Sequence, residues 1–392
     1  MSELKVMRIS AINDLPQRLC FMAKGLQSEY QADNEQLYIE CYRKENENVI
    51  RLSTSTGIWT EVNPYDKEDG DILPFSVSIN LYDFFNAVDN CVDELISLWI
   101  DEETNELVLD SFYNPVKELD ELEVRLKIGT SKFPFRPITV TPDAKLINAI
   151  EIDTQGLLEI MTQLNYEKSA DGVNIIVENK KLKFQNIHAG MKSTLTLKSY
   201  ERDDYGTDCS VYIPFNIFSL MMSTGQYTPL TFNIYDNNTV TLTTCEYNFM
   251  HVDTTNTEIF TIDVSKFTDY FVMDAKLLEC NMKLLNKLTQ QAPIVNVKFE
   301  KVDACVADII CEYPNRYTVA MRTDLAMLSD KEMNIDARIL SEMIRHTNVD
   351  AIRIKIDEFD GVYIGYENAT IKKQMVYDHS DFSKYRVYKE SL

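Results

Sequence analysis

The chain's four histidines, at 188, 251, 346 and 379, are the first residues to test for catalysis or metal binding, and none forms an HExxH or HxH pair. Cys305 and Cys311 lie six residues apart with no histidine near them in sequence, which reads as buried thiols. The acidic runs Asp101-Glu102-Glu103 and Asp203-Asp204 could attract a cation, yet both fall in turn-like sequence and read as solvated charge. Glycine numbers only 11 in 392 residues, and neither a phosphate-cradling glycine motif nor a GxSxG elbow occurs. The expectation is a chain with no catalytic residue, no metal site and no cofactor.

Rows of cations on helices carry the remaining chemistry. Lys276, Lys283 and Lys287 stand at i, i+7 and i+11, opposite a stripe of Leu277, Leu278, Leu284, Leu285 and Leu288. Arg338 and Arg345 repeat the i, i+7 spacing, with His346 beside them. Lys24 falls on the far side of an earlier helix from Leu15, and Lys168 follows a third helix. Such rows suit a phosphate backbone bound without regard to base sequence, with the salt sensitivity that implies. The plain alternative is a solvated helix face. Two other helical stretches, NLYDFFNAVDN and NIFSLMMSTGQ, carry no Lys or Arg and offer phosphate nothing.

The elements that position these residues recur along the chain. Glu332–Tyr366 reads as a short strand, a cap at Asp336, and a helix on Ile339, Leu340, Met343 and Ile344. A strand on Ile352, Ile354 and Ile356 follows, then an Asp360-Gly361 turn and a partner strand. The same order appears six times, with caps at Asn13 or Asp14, Asn80, Asp153, Asn216, Asp274 and Asp336, about 60 to 70 residues apart. The helices carry Leu15, Leu19, Met22 and Leu26; Phe84, Phe85 and Val88; Leu157, Leu158, Met161 and Leu164; and Ile217, Leu220 and Met221. Hairpins follow at SLWIDEETNELVLDS, VNIIVENKKLKF and TFNIYDNNTVTLTT. One unit is too small to bury its own faces. Paired, the six predict an α+β chain of three repeated domains, 1–137, 138–266 and 267–392, each with two helices on antiparallel sheet. Pro134, Pro137 and Pro142 mark the first boundary; the second follows from the repeat alone.

Composition agrees with a globular chain: 45% hydrophobic and 26% charged. The N-terminus lacks an apolar signal segment, no run approaches a membrane span, and the eight cysteines form no CxxC pair. These point to the cytoplasm and to no membrane partner. The net charge of −23 is uneven: 13 basic against 26 acidic residues in 1–142, 9 against 16 in 143–268, and 17 against 20 in 269–392. Screening over about 8 Å lets a basic face coexist with an acidic exterior.

Three domains, each a doubled strand-helix-hairpin unit, resemble the bacterial-type sliding clamp, the β subunit of the replicative DNA polymerase. The likeness spans about residues 5 to 378 and includes Phe133-Pro134 at the close of the first domain. The long tail after Asp378 and a second linker, residues 264–270, without proline depart from the family's pattern. They point to a divergent member of the kind a phage encodes. The resemblance implies a DNA clamp fold, a head-to-tail homodimer closing a ring around double-stranded DNA, and partnership with a DNA polymerase and a clamp loader. Packing arithmetic agrees that one chain is too few. Six helices about 9 Å apart enclose no duplex, whereas twelve leave a hole of roughly 25 Å.

In that family a hydrophobic cleft between the second and third domains receives short peptide motifs. Candidates here are Val177, Ile187, Phe267, Met375 and Tyr377, a methionine-bearing set that could repack around several partners. The function expected is a DNA replication processivity factor without catalysis of its own. The alternative is a non-catalytic repeat protein of a virion or cell surface.

Overall fold

A computed structural model describes residues 7–10, 15, 19, 22, 35–44, 47–55, 57–62, 75–89, 95–101, 103–113, 122–131, 143–164, 172–188, 190–214, 229–244, 248–252, 259–289, 296–312, 318–330, 335–345, 349–359 and 361–377. The chain divides into two compact units, Met1–Glu151 with Ser223–Val252 and Ile152–Met222 with Asp253–Leu392.

In the first unit an eight-stranded sheet runs Phe75–Asn80, Gln36–Lys44, Glu47–Thr54, Ile58–Val62, Asn248–Val252, Thr239–Thr243, Leu230–Tyr235 and Leu146–Ile152. A four-stranded sheet runs Met7–Ser10, Leu95–Asp101, Glu106–Tyr113 and Leu122–Gly129. Leu15, Leu19 and Met22 are helical and wholly buried, as their spacing predicts. Helix α1, Leu81–Asp89, starts where Asn80 Oδ1 accepts from the backbone N–H of Tyr82 at 2.9 Å and of Asp83 at 3.1 Å. Its buried face is Leu81, Phe84, Ala87 and Val88.

The second unit holds a nine-stranded sheet in the order Cys209–Pro214, Gly172–Glu178, Lys181–His188, Met191–Leu197, Ile371–Tyr377, Val362–Glu367, Ala351–Ile356, Thr268–Asp274 and Ala326–Met327. Its four-stranded sheet is Thr318–Asp324, Val306–Glu312, Asn296–Lys301 and Ile335–Asp336. Helix α2, Thr154–Gln163, is capped by Asp153, whose Oδ1 accepts from Gly156 N at 2.7 Å. Helix α3, Ala275–Thr289, is capped by Asp274, which accepts from Leu277 N at 2.8 Å. Helix α4, Ala337–Ile344, follows Asp336 directly. Three of the expected caps therefore bond as their residue types predict; those at 13/14 and 216 lie outside the described residues.

Packing alters several expectations. On α3 the wholly buried stripe is Leu278, Met282 and Leu285, with Ala275 also buried, while Leu284 is 48% exposed. Leu158 on α2 is 61% exposed, and Ile160 takes the buried place. In both cases 100° per residue lets only one of two adjacent leucines face the sheet. Each wholly buried side chain contributes about 1.5–3 kcal/mol. The turn before Val362 is not a two-residue Asp-Gly turn. Asp357 Oδ1 accepts from Phe359 N at 2.9 Å and Gly361 N at 2.7 Å, closing a wider loop on its own carboxylate. A Cβ on Gly361 would stand 2.5 Å from Asp357 Oδ2, so any side chain there would push the Asp357 carboxylate off the N–H groups it accepts from.

Sheet continuity crosses the boundaries that the repeat suggests. Asn248–Val252 pairs with Ile58–Val62, and Met191–Leu197 pairs along its length with Ile371–Tyr377. Phe133-Pro134 lies outside the described residues.

Candidate functional site

On α3, Lys276, Lys283 and Lys287 are all exposed, and their spacing returns them to within about 40° of one another around the axis. Lys283 bonds Glu279 one turn earlier at 2.6 Å. That hydrogen bond, then the charge of Glu279, raises the Lys283 pKa, while the nearby Arg345 opposes the rise. Arg345 in turn stands 3.8 Å from Glu342. Helices α3 and α4 thus bring Lys283 and Arg345 within each other's field, an arrangement that an added anion would relieve. Arg338 lies on α4, its side chain outside the described atoms. Lys24 and Lys168 also fall outside the described residues. Helix α1 bears exposed Asp83 and Asp89 and no Lys or Arg, so it offers phosphate nothing.

The candidate cleft residues are sorted by register. Thr268, Ile356, Val362, Tyr377, Met191 and His188 lie in one row across six strands at one end of the nine-stranded sheet. Beside this row, Tyr363 pairs with Val376, Val376 with Lys192 and Lys192 with Ile187, which places all four on one face. Phe267 joins that face, its ring 5.6 Å from Tyr363. Ile187 is 43% exposed, and Phe267 and Val376 are half-buried. Met375 and Tyr377 are at the same end but point to the opposite, helix-bearing face, where they are buried. Val177 lies away from this row and instead borders the pocket described below. It pairs with Leu182, which leads through Leu197 to Ile371 at the far end of the sheet, and it is buried. Sequence reasoning missed Tyr363 and Val376, which the alternation around Ile364 and Met375 could have supplied.

On the same outer face, next to this apolar row, is a pocket of about 410 Å³. Gln185, Thr194 and Gln374 form part of its wall, with Ile259–Ile262 along one side. Gln185 Nε2 holds that side in place, donating to Phe260 O at 2.8 Å and to Thr194 Oγ1 at 3.2 Å. Glu178, Asp208 and Lys183 supply the pocket's charge, and Lys183 is bonded to Glu178.

The other chemical candidates are occupied. Asp101 bonds Lys127 at 2.8 Å, which lowers its carboxyl to about 2, and its Oδ1 also accepts from Glu103 N. Asp203 bonds Lys180 at 2.6 Å. Burial pushes the Cys311 thiol up to about 11, and Cys305 sits exposed beyond the strand's start. Among the described residues no group of three His, Cys, Asp or Glu could hold a metal ion, and no helix is long and apolar enough to cross a membrane.

No family model matches the sequence, and no curated protein matches it either. Solved structures do match over nearly the whole chain. The DNA polymerase III subunit beta from Pseudomonas aeruginosa is 12% identical with a TM-score of 0.68, covering 95% of this chain and 99% of that one. A putative DNA polymerase III beta subunit from Eubacterium rectale is 11% identical with a TM-score of 0.69, covering 96% and 99%. The DNA polymerase III beta chain from Streptococcus pneumoniae is 16% identical with a TM-score of 0.66, covering 95% and 99%. At such identities side chains have diverged almost completely while element order and sheet pairing persist. The chain has the fold of the DNA polymerase III beta subunit sliding clamps.

Proposed function

We propose that the chain is a processivity clamp: a cytoplasmic, non-catalytic ring that encircles double-stranded DNA and tethers a DNA polymerase. The observation that carries this reading is a clamp fold over 95% of the chain joined to an exposed cation row on α3, with half-buried Arg345 beside it just past the end of α4. Tethering raises the polymerase's effective concentration at the primer end, so no new contact to the reacting atoms is needed. In this reading the three domains are 1–137, 138–266 and 267–392, a clamp loader opens the ring, and Phe267, Tyr363, Val376 and Ile187 form the surface where partner peptides dock, with Met375 and Tyr377 packed behind it on the helix-bearing face of the same strand.

Closure requires a second copy. Among the described residues, Leu122–Gly129 and Thr318–Asp324 each form the outer strand of a four-stranded sheet. Both carry an arginine forked onto the neighbouring strand's aspartate: Arg125 to Asp110 at 2.8 and 2.9 Å, Arg322 to Asp308 at 2.9 and 3.0 Å. An edge strand presents open N–H and C=O groups to another chain, and two unlike edges make a head-to-tail contact that closes by symmetry.

The test is retention on DNA of different topology. With a loader, the clamp should stay on nicked circular DNA in salt that strips simple binders, and should run off the same DNA once linearised. Lys283→Glu, Lys287→Glu and Arg345→Glu together should abolish retention while light scattering still gives twice the chain mass. Equal loss from circular and linear DNA would refute the clamp.

A further inference from the structure

The apolar row at the end of the nine-stranded sheet has a candidate occupant within the chain. Ile371–Tyr377 is one of the strands that build the row, and Val376, next to its last residue, belongs to it. The strand therefore ends at the row itself, and residues 378–392 follow it in the sequence. The stretch 382–389, FSKYRVYK, holds Phe382, Tyr385, Val387 and Tyr388, and its three charged residues, Lys384, Arg386 and Lys389, are all basic. This contrasts with a chain whose net charge is −23. Tyr385 and Val387 alternate with Lys384 and Arg386, the pattern of a segment that lays one side on an apolar surface.

Reach and charge both fit. From Val376, Ile187 is two strands away, about 10 Å. Phe382 is five residues beyond Tyr377, and that much extended chain spans up to about 17 Å. Past the row on the same face, the 410 Å³ pocket carries Glu178 and Asp208 against the single cation Lys183. A basic aromatic segment running from the row toward that pocket meets an apolar surface interrupted by Lys192, and then a pocket where Glu178 is bonded to Lys183 and Asp208 supplies the remaining negative charge.

We propose that residues 382–389 seat on the surface formed by Phe267, Tyr363, Val376 and Ile187 of their own chain, so that a partner must displace the tail to dock. The consequence for partners rests on the clamp reading above; the seating itself does not. Intramolecular docking needs little affinity, because the tether fixes a high local concentration.

The probe is trypsin acting on the intact chain, with cleavage after Lys384 and Arg386 followed by mass spectrometry. A synthetic peptide of residues 378–392 serves as the unprotected reference. The tail should be cut at least about tenfold more slowly in the chain than in the peptide, the protection that 1.4 kcal/mol of docking gives. Ile187→Asp should bring the rate back to that of the peptide, and this position is exposed enough to accept the change without unfolding. Tyr385→Ser with Val387→Ser should do the same, compared with a peptide bearing the same changes, and lies wholly in the tail. Equal rates in chain and peptide, or protection untouched by these variants, would overturn the proposal. So would protection that fades on dilution, which would assign the seat to the tail of a second copy. Because the assay contains no DNA, its failure leaves the topology test standing, and failure of that test leaves the tail's seat standing.

Discussion

Lys373 is 1% exposed on a strand whose buried positions are otherwise Ile371, Met375 and Tyr377. Burial lowers its pKa to about 7, against a smaller opposing pull from Glu342. Its ladder partner is Tyr366, whose hydroxyl bonds Gln163 of α2 and whose own pKa is raised by burial and by Glu159. A lysine whose pKa is depressed on folding contributes stability that is full above its ordinary value of 10.5 and is lost as pH falls toward about 7. From the two values, linkage gives a rise of about 2 kcal/mol in unfolding free energy between pH 7 and 8.5. The thiols of Cys41 and Cys311, both raised from 9.0 to about 11, act in the opposite sense, but chiefly above pH 9. Lys373→Met keeps the volume and removes the amine, while Glu342 keeps Arg345 as a partner. The variant should be more stable at pH 7 by about 1–4 kcal/mol and should lose the rise toward pH 8.5. Urea unfolding of both proteins at the two pH values, followed by far-ultraviolet circular dichroism, measures this. A variant less stable at pH 7, or one that keeps the same pH slope, would refute the reasoning.

Two further outcomes follow from local geometry. Asp153→Ala should cost about 1 kcal/mol, because Gly156 N loses its cap; Asp153→Asn should restore most of it in the same urea titration. Thiol labelling of the native protein with peptide mapping should modify exposed Cys280 and Cys305 quickly and buried Cys41 and Cys311 only on unfolding, and equal rates at all four would contradict the burial.

Features that depend only on near neighbours were legible in the chain. Asn80, Asp153 and Asp274 cap helices because a short polar side chain after a strand can reach the next free N–H groups. Lys276, Lys283 and Lys287 share a face because helical pitch fixes it. The six-fold recurrence suggested the clamp fold for the same reason, since a repeated local order survives where side chains have diverged. Even Lys373 was within reach, as it alternates with Ile371 and Met375. What the chain could not give was pairing between distant strands. Ile187 and Val376 share a surface only because Lys181–His188, Met191–Leu197 and Ile371–Tyr377 settle into one register, and that register sends Met375 to the opposite face and Val177 to the far end. Leu158 and Leu284 are exposed for a related reason: a helix's apolar excess is resolved by what packs against it. Local spacing named the elements and their polar caps; the choice of face and neighbour belonged to the assembled sheet, where shifting one strand by a residue turns every side chain over.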